Sequence, residues 1–259
     1  RGLLLRAVRE RDIARVQELI RYHVYDNEAD AMGQTPLIIA SSNGFHEIVD
    51  ILIERGYDVN RVDKWGSTAL LGACEGGHVD IVKSLLNAGA RVEYSNGNGM
   101  TALAFAIKYD HVEVVEALLE HNPKLVSKPA FYGTPLMYAS NVGRVAVVEL
   151  LLDRGAVVDK VNNSGATPLI EASKKNRVAV VELLLDRGAV VDKSDNSDAT
   201  ALMWASKQYD NKEVVELLLD RGAKIDKHDN YGNTALMWAS EGGHEEVVEL
   251  LLERGAEVE

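Results

Sequence analysis

The chain has 259 residues, with 28 Lys and Arg against 40 Asp and Glu, so its formal net charge is −12. Hydrophobic residues make up 46 % and charged residues 26 %, proportions that exclude a wholly disordered chain. The acidic balance disfavours nucleic acid as the partner, because phosphates attract an excess of Lys and Arg. No apolar stretch approaches the roughly 20 residues that a membrane helix needs. The single cysteine, Cys74, cannot form an internal disulfide, so we expect a reducing, cytoplasmic location without membrane insertion.

The first 28 residues carry apolar side chains at helical spacing and predict two short helices. These side chains are Leu3, Leu4, Leu5, Ala7, Ile13, Val16, Leu19 and Ile20. From residue 29 onwards a single unit recurs, marked by a threonine that Pro or Ala and then Leu follow. The threonines are spaced by 33 residues, or by 34 before the last, and are Thr35, Thr68, Thr101, Thr134, Thr167, Thr200 and Thr234. A fixed period of this length predicts a solenoid of stacked units.

The residue pattern of each repeated unit predicts a pair of helices joined by turns. The threonine is placed as an N-cap, and Pro36 at the next position suits a first helical turn. A second helix follows with apolar residues at helical spacing, and Gly-Ala then ends it. An alanine five residues after each threonine allows close approach of neighbouring first helices, and Cys74 beside one of them is predicted to be a small core residue.

The repeated pattern resembles the ankyrin repeat. The segments 33–37 (Gly-Gln-Thr-Pro-Leu), 76–79 (Gly-Gly-His-Val) and 54–60 (Glu-Arg-Gly-Tyr-Asp-Val-Asn) follow that family's motif. The resemblance implies an all-α solenoid of stacked helix-turn-helix units with short β-hairpin-like turns. It also implies one domain over 1–259 and a non-catalytic, protein-binding role. The implied repeats are approximately 1–28, 29–61, 62–94, 95–127, 128–160, 161–193, 194–227 and 228–259.

Several departures from the family pattern are visible. Pro123 replaces the Gly-Ala that ends one second helix, residues 131–133 shift a turn glycine by one place, and 208–212 contain one inserted residue. The segments 144–160 and 177–193 are identical over 17 residues, which indicates either a recent internal duplication or design. The irregular units favour duplication, and the unaltered last unit suggests that the natural protein continues past residue 259.

The sequence offers no pattern typical of an active site or of a metal or cofactor site. It contains no phosphate-binding glycine loop and no paired cysteines, so we expect no enzyme, no cofactor and no metal. His78, His111 and His244 recur ten residues after a threonine, where we expect them to bond to neighbouring backbone. Acidic second helices are interpreted as solvated faces with i,i+4 partners, and Arg221 and Arg254 as complements of helix dipoles.

The family resemblance implies that partners bind a concave side built from turn tips, first helices and the loops after them. Most of the aromatic residues fall on this side, and aromatics are typical of recognition hot spots. They are Trp65, Phe105, Tyr109, Phe131, Tyr132, Tyr138, Trp204, Tyr209, Tyr231 and Trp238. The alternative is that these rings pack between units. Lys174, Lys175 and Lys207 predict contact with an acidic segment of the partner, the alternative being a solvated edge.

These observations favour a monomeric interaction module or scaffold that binds a partner peptide or helix. Three alternatives stay open. One is the regulatory or targeting domain of a larger enzyme, channel or ubiquitin-ligase adaptor. Another is a solenoid that binds a small molecule or a nucleotide. The third is an engineered binder built on the same repeats, which the 17-residue identity keeps open.

Overall fold

A computed structural model describes residues 2–22, 29–130, 132–209 and 211–258. These residues form 16 α-helices, one 3-10 helix over Pro123–Ser127 and two isolated β-bridges. The predicted all-α class is therefore confirmed. The chain divides into two compact units, Arg1–Leu125 and Val126–Glu259, which are described separately. The division into eight repeats within a single domain stays a prediction.

The first unit consists of four helix pairs. First helices pack against first helices along the chain, and second helices pack against second helices. In chain order the helices are α1 (Leu3–Arg9), α2 (Ile13–Arg21), α3 (Pro36–Ser42), α4 (His46–Glu54), α5 (Ala69–Gly76), α6 (Val79–Asn87), α7 (Ala102–Lys108) and α8 (Val112–His121).

The second unit repeats this arrangement with four further pairs. Its first helices are α9, α11, α13 and α15, and each packs against the next. The helices are α9 (Pro135–Val142), α10 (Val145–Asp153), α11 (Pro168–Ser173), α12 (Val178–Asp186), α13 (Ala201–Ser206), α14 (Lys212–Asp220), α15 (Ala235–Gly242) and α16 (Glu245–Glu253).

The recurring threonine caps the first helix of each repeat from residue 29 onwards, as the sequence predicts. Thr167 Oγ1, for example, accepts the backbone N–H of Ile170 at 3.2 Å. The same bond is made by Thr35, Thr68, Thr101, Thr134, Thr200 and Thr234. The alanine five residues after each of these threonines is fully buried, which is consistent with close packing of first helices.

Cys74 is a buried core residue, as predicted. Burial raises the pKa of its thiol strongly, because a thiolate there would lose its hydration. We expect Cys74 to resist alkylation by iodoacetamide in the native protein and to react at the rate of a free thiol once urea unfolds the first unit. Mass spectrometry across a urea series would measure this, and rapid labelling without urea would contradict the burial.

The turns are built on an Asp or Asn side chain that accepts two backbone N–H groups. Asp63 Oδ1 accepts from Trp65 at 2.9 Å and from Ser67 at 2.7 Å. The turns at Asp30, Asn96, Asn162, Asp195 and Asp229 repeat this pattern. This geometry fixes each turn locally, which is why Asp and Asn recur there.

Successive turns are also joined by a backbone hydrogen bond. In the second unit, the N–H of Asn196 donates to the carbonyl of Ser164 at 3.0 Å, and that of Asn230 donates to the carbonyl of Ser197 at the same distance. In the first unit, the N–H of Lys64 donates to Met32 at 3.0 Å. Neighbouring turn tips are therefore held in register by their main chains.

The recurring histidines bond to backbone, which confirms the expectation for them. Nε2 of His111 donates to the carbonyl of Glu75 at 3.0 Å, and Nε2 of His244 donates to the carbonyl of Lys207 at 2.9 Å. His78 lies 3.4 Å from the carbonyl of Ser42 in the same way. Two other residues take this place where histidine is absent, namely Arg177 and Asn211. Each of these side chains ties the start of a second helix to the preceding repeat.

Arginines that directly follow second helices of the second unit make ion pairs between repeats. Arg187, Arg221 and Arg254 each place Nη1 2.7 Å from an aspartate of the preceding second helix. Each also lies within 3.5 Å of a glutamate one turn earlier on that helix. The sequence predicted only i,i+4 and dipole interactions for these helices. The sequence does not predict these ion pairs between repeats, because each arginine and its acidic partners are more than 30 residues apart in the chain.

Candidate functional site

The predicted binding aromatics are divided between the two units, and three of them lie in the first. Trp65 is exposed at a turn tip. Phe105 and Tyr109 stack with ring centroids 6.5 Å apart, and the Tyr109 hydroxyl donates to Glu75 at 3.0 Å. Tyr109 is exposed and Phe105 is half-buried, so Tyr109 is the more accessible ring of the pair.

The aromatics at the start of the second unit are less accessible. Tyr138 stacks on Tyr132 at 5.0 Å, and only 8 % of Tyr138 is exposed. Tyr138 is therefore buried, with a ring of its own repeat stacked on it rather than exposed for binding, and Tyr132 is the more exposed ring of the pair. Phe131 lies outside the described residues. Tyr209 and Tyr231 are strongly exposed.

Trp204 and Trp238 are the two tryptophans of the second unit, and their rings are in contact. They occupy the same position on the first helices α13 and α15, and their rings meet edge to face with centroids 5.1 Å apart. Both indoles are half-buried. An edge-to-face pair of this kind is a favourable aromatic contact, and it leaves part of each ring at the surface.

Each indole N–H is bonded to the aspartate of its own turn. Nε1–H of Trp204 donates to Oδ2 of Asp195 at 2.8 Å, and Nε1–H of Trp238 donates to Oδ2 of Asp229 at 3.1 Å. The other carboxylate oxygen of each aspartate holds the turn backbone. The polar edge of each ring is thus satisfied inside the protein, and the turn fixes the orientation of the ring.

Two lysines lie over these rings. Nζ of Lys174 is 4.1 Å from the centroid of Trp204, and Nζ of Lys207 is 4.8 Å from that of Trp238. Lys207 is also 6.0 Å from the Trp204 centroid. These distances are within the range of cation–π attraction. We call these four residues, Lys174, Trp204, Lys207 and Trp238, the tryptophan–lysine surface.

The two lysines differ in their other contacts. Nζ of Lys174 lies 3.3 Å from Oε1 of Glu171, whose other oxygen accepts from Asn141 at 3.1 Å. Lys207 is exposed and makes no ion pair within the described part of the chain. Lys175, the third predicted lysine, follows Lys174 in the chain and is exposed.

Sequence reasoning located the four residues of the surface but missed their supports. Asp195, Asp229 and Glu171 are not among the binding residues that the sequence predicts. A signal was present, because each aspartate precedes its tryptophan by nine residues in both repeats. The structure brings together Lys174, Trp204, Lys207 and Trp238, whereas Trp65, Phe105 and Tyr109 belong to the other unit.

The pKa of Asp229 is lower than the usual value of an aspartate. Burial alone would raise its pKa, but hydrogen bonds from the backbone of Asn233 and Tyr231, from the Asn233 side chain and from the Trp238 indole outweigh burial and lower it. A lowered pKa means that ionised Asp229 stabilises the fold above the pKa of the unfolded chain. That contribution is lost as the pH falls through the lower, folded value.

We expect the environment of Trp238 to change only below about pH 4, the ordinary range of an aspartate. The measurement is an acid titration of emission in a variant with Trp65→Phe and Trp204→Phe, in which Trp238 is the remaining tryptophan. The matched control adds Asp229→Asn and should lack this transition. A transition that persists in the control would contradict the assignment to Asp229.

Within the described ranges, no group of three or more His, Cys, Asp or Glu side chains is placed to hold a metal ion. The helices of those ranges are all too short or too polar to cross a membrane.

Comparison with known proteins identifies the family of these repeats. The family model described as ankyrin repeats matches residues 3–63, 55–129, 121–195 and 190–259. The chain belongs to the ankyrin repeat family. Its ankyrin repeats are similar to the crystal structure of the human ASB11 ankyrin repeat domain, with 32 % sequence identity and a TM-score of 0.75. That match covers 87 % of this chain and 100 % of the ASB11 chain. A comparison with curated proteins gave no match.

Membership of the family confirms the resemblance and the ankyrin repeat fold predicted from the sequence. Ankyrin repeats are generally protein–protein interaction modules, and ankyrin repeat domains are typically non-catalytic. The family thus indicates the class of function. The choice of surface and partner rests on the residues described above.

Proposed function

We propose that this ankyrin repeat protein is a non-catalytic module that binds a protein partner, a peptide or a helix, through the tryptophan–lysine surface. The observation that supports the proposal is the pair of half-buried indoles whose N–H groups are already bonded to Asp195 and Asp229. A partner can therefore cover the exposed part of these rings without leaving an indole N–H unsatisfied, provided that it also supplies acceptors to the ammonium groups of Lys174 and Lys207 that lie over them.

The support behind the rings also favours binding. Each indole is held by an aspartate that itself holds a turn, so little side-chain freedom remains to be lost when a partner docks. Trp is among the residues that most often dominate binding energy at interfaces. The surface therefore supplies fixed anchors rather than a mobile loop.

Lys174 and Lys207 favour a partner segment that is acidic. Their ammonium groups lie over the indoles, and Lys175 adds a further positive charge beside them. Charges at the edge of an interface mainly steer association and select partners. We propose that an acidic segment approaches these lysines while an apolar group packs on the rings.

The remaining predicted contacts are kept as secondary parts of the proposal. Trp65, Phe105 and Tyr109 offer a separate aromatic patch in the first unit, and Tyr132, Tyr209 and Tyr231 are exposed in the second. The monomeric state and the intracellular location expected from the sequence also stay predictions.

The test is affinity capture from cell lysate followed by mass spectrometry. We compare the parent chain with a Trp204→Ala, Trp238→Ala variant and with a control that carries Tyr209→Ala and Tyr231→Ala. Circular dichroism first establishes that all three are folded. We expect a partner retained by the parent and the control but lost from the tryptophan variant, and at least about a thirtyfold weaker affinity once that partner is purified.

Equal retention by the tryptophan variant would move the binding site away from the tryptophan–lysine surface. Loss of the partner only in the tyrosine control would place the site at the exposed tyrosines instead. Either result would contradict the proposed site without changing the fold.

A further inference from the structure

The two lysines of the tryptophan–lysine surface occupy the same position in successive repeats. Lys174 and Lys207 each stand seven residues after a capping threonine, directly after the helices α11 and α13. Each places its ammonium group over the indole of the next first helix, at 4.1 Å for Lys174 and 4.8 Å for Lys207. They differ in the side chain three residues earlier in the chain. For Lys174 this neighbour is a carboxylate, Glu171, and for Lys207 it is an indole.

Glu171 gives Lys174 an ionic partner inside the protein. Its Oε1 lies 3.3 Å from the Lys174 ammonium, and its Oε2 accepts a hydrogen bond from Asn141 of the preceding repeat at 3.1 Å. The side chains of Lys174 and Glu171 are only 20 % and 17 % exposed, so water screens their attraction less than at an open surface. The charge of Lys174 is therefore balanced before a partner arrives. A carboxylate that approached Lys174 would also meet the like charge of Glu171.

Lys207 has no carboxylate of this kind. It is exposed and makes no ion pair among the residues that the structure describes. Its ammonium lies 4.8 Å from the Trp238 centroid and 6.0 Å from the Trp204 centroid, so the rings attract it without cancelling its charge. The positive charge of Lys207 therefore remains available to a partner.

The surroundings of Lys207 favour a carboxylate there over one at the next repeat. The two indoles beside Lys207 are half-buried, and apolar rings keep water from one side of an ion pair, which strengthens it relative to a fully solvated pair. On α15 the same place in the repeat is taken by Glu241, which is exposed and disfavours an acidic group of the partner. Among these equivalent positions, Lys207 is therefore the favourable place for a carboxylate.

We infer that Lys207 is the residue of the tryptophan–lysine surface that recognises a carboxylate of the partner, whereas Lys174 keeps its charge paired with Glu171. The inference rests on the proposed function and assigns the recognition of acidic groups to one of its two lysines. The partner then needs one carboxylate beside an apolar group. For Lys174 an uncharged acceptor such as a backbone carbonyl is sufficient. Glu171 determines specificity, because it withholds one of the two positive charges.

The experiment selects a phage-displayed library of random 12-residue peptides on the full chain and on its variants. The variants are Lys207→Gln, Lys207→Arg, a charge-balanced pair of Lys174→Gln with Glu171→Gln, and Trp204→Ala with Trp238→Ala. Circular dichroism first establishes that each variant is folded. Sequencing gives the acidic content of the enriched peptides, and isothermal titration gives the dissociation constants of synthetic copies.

We expect the peptides that need the tryptophans to carry Asp or Glu beside an apolar residue. Lys207→Gln should weaken their binding about fivefold and remove the preference for the acidic residue, because the available charge is gone. Lys207→Arg keeps the charge and should keep the preference. The charge-balanced pair should bind within about twofold of the parent, because it removes no net charge.

Glu171→Gln alone is a second test, which looks for a gain of binding. It leaves Lys174 without its ionic partner, so acidic peptides should bind about threefold more tightly than to the parent. Added to Lys207→Gln, it should restore part of the acidic preference. Unchanged or weaker binding to Glu171→Gln would overturn the role given to Glu171.

The outcomes separate this inference from the proposed function. An acidic preference that survives Lys207→Gln, or one that is lost from the charge-balanced pair, overturns the assignment to Lys207 while the binding surface stands. Peptides that need the tryptophans but carry no acidic residue overturn it as well and leave a purely apolar ligand. If no enriched peptide depends on the tryptophans, the result contradicts the proposed function itself.

Discussion

Replacing Gly165 with alanine is expected to lower the free energy of unfolding of the second unit by about 2–5 kcal/mol. Gly165 has a φ of +78°, a conformation that alanine adopts only with strain. A Cβ built there would also lie 2.6 Å from the backbone nitrogen of Asn196. That nitrogen donates the hydrogen bond that joins two successive turns, so the added methyl would push the turns apart.

A matched glycine separates the two causes. Gly188 has a φ of +86°, but a Cβ built on it meets no atom within 4 Å. Gly188→Ala should therefore show only the backbone strain, about 1–2 kcal/mol. Urea unfolding followed by circular dichroism measures both variants. Equal losses in the two variants would mean that the contact between turns contributes nothing measurable.

Asn211→Ala is expected to lower the free energy of unfolding of the second unit by about 1–3 kcal/mol. The side chain of Asn211 is fully buried, and its Nδ2 donates to the carbonyls of Ser173 at 2.8 Å and Ala205 at 3.1 Å. Alanine would leave both carbonyls buried without this donor. It would also cut the link between the start of α14 and the preceding repeat.

The informative control for Asn211 is histidine rather than another small residue. His111 and His244 stand at the start of second helices and donate to carbonyls of the preceding repeat at 3.0 and 2.9 Å. Asn211→His should therefore recover most of the stability lost in Asn211→Ala, with both measured by urea unfolding. If Asn211→His were no more stable than Asn211→Ala, the hydrogen-bond donor at this position would not be what stabilises the second unit.

Local features of the fold were predictable because their causes lie within a few residues. Thr167 caps the helix that begins at the next residue, and the buried alanine follows it at a fixed distance. The role of His111 was also predictable, because its place in the unit recurs. The ion pairs of Arg187 were not, because Asp153 and Glu149 lie on another helix 34 and 38 residues away.

The candidate site was predictable in its positions but not in its exposure. The repeat places Tyr138, Trp204 and Trp238 in one column, and sequence could not tell that Tyr138 packs against Tyr132 while the indoles keep part of each ring at the surface. Burial depends on the side chains that pack around each ring, and the one that stacks on Tyr138 comes from the turn of its own repeat. The hydrogen bonds from the indoles to the turns depend on side-chain rotamers, which sequence spacing does not define.

The arginine pairs of the second unit bear on how the chain acquired two identical segments. Residues 144–160 and 177–193 each carry the acids that receive an arginine from the following repeat, and 177–193 carries the arginine that reaches back to the first copy. The segment therefore carries both the acidic side chains and the arginine of the ion pair, so one copy can pair with an identical copy that follows it. A gene duplication that places one copy directly after another creates a complementary junction at once, with no compensating substitution.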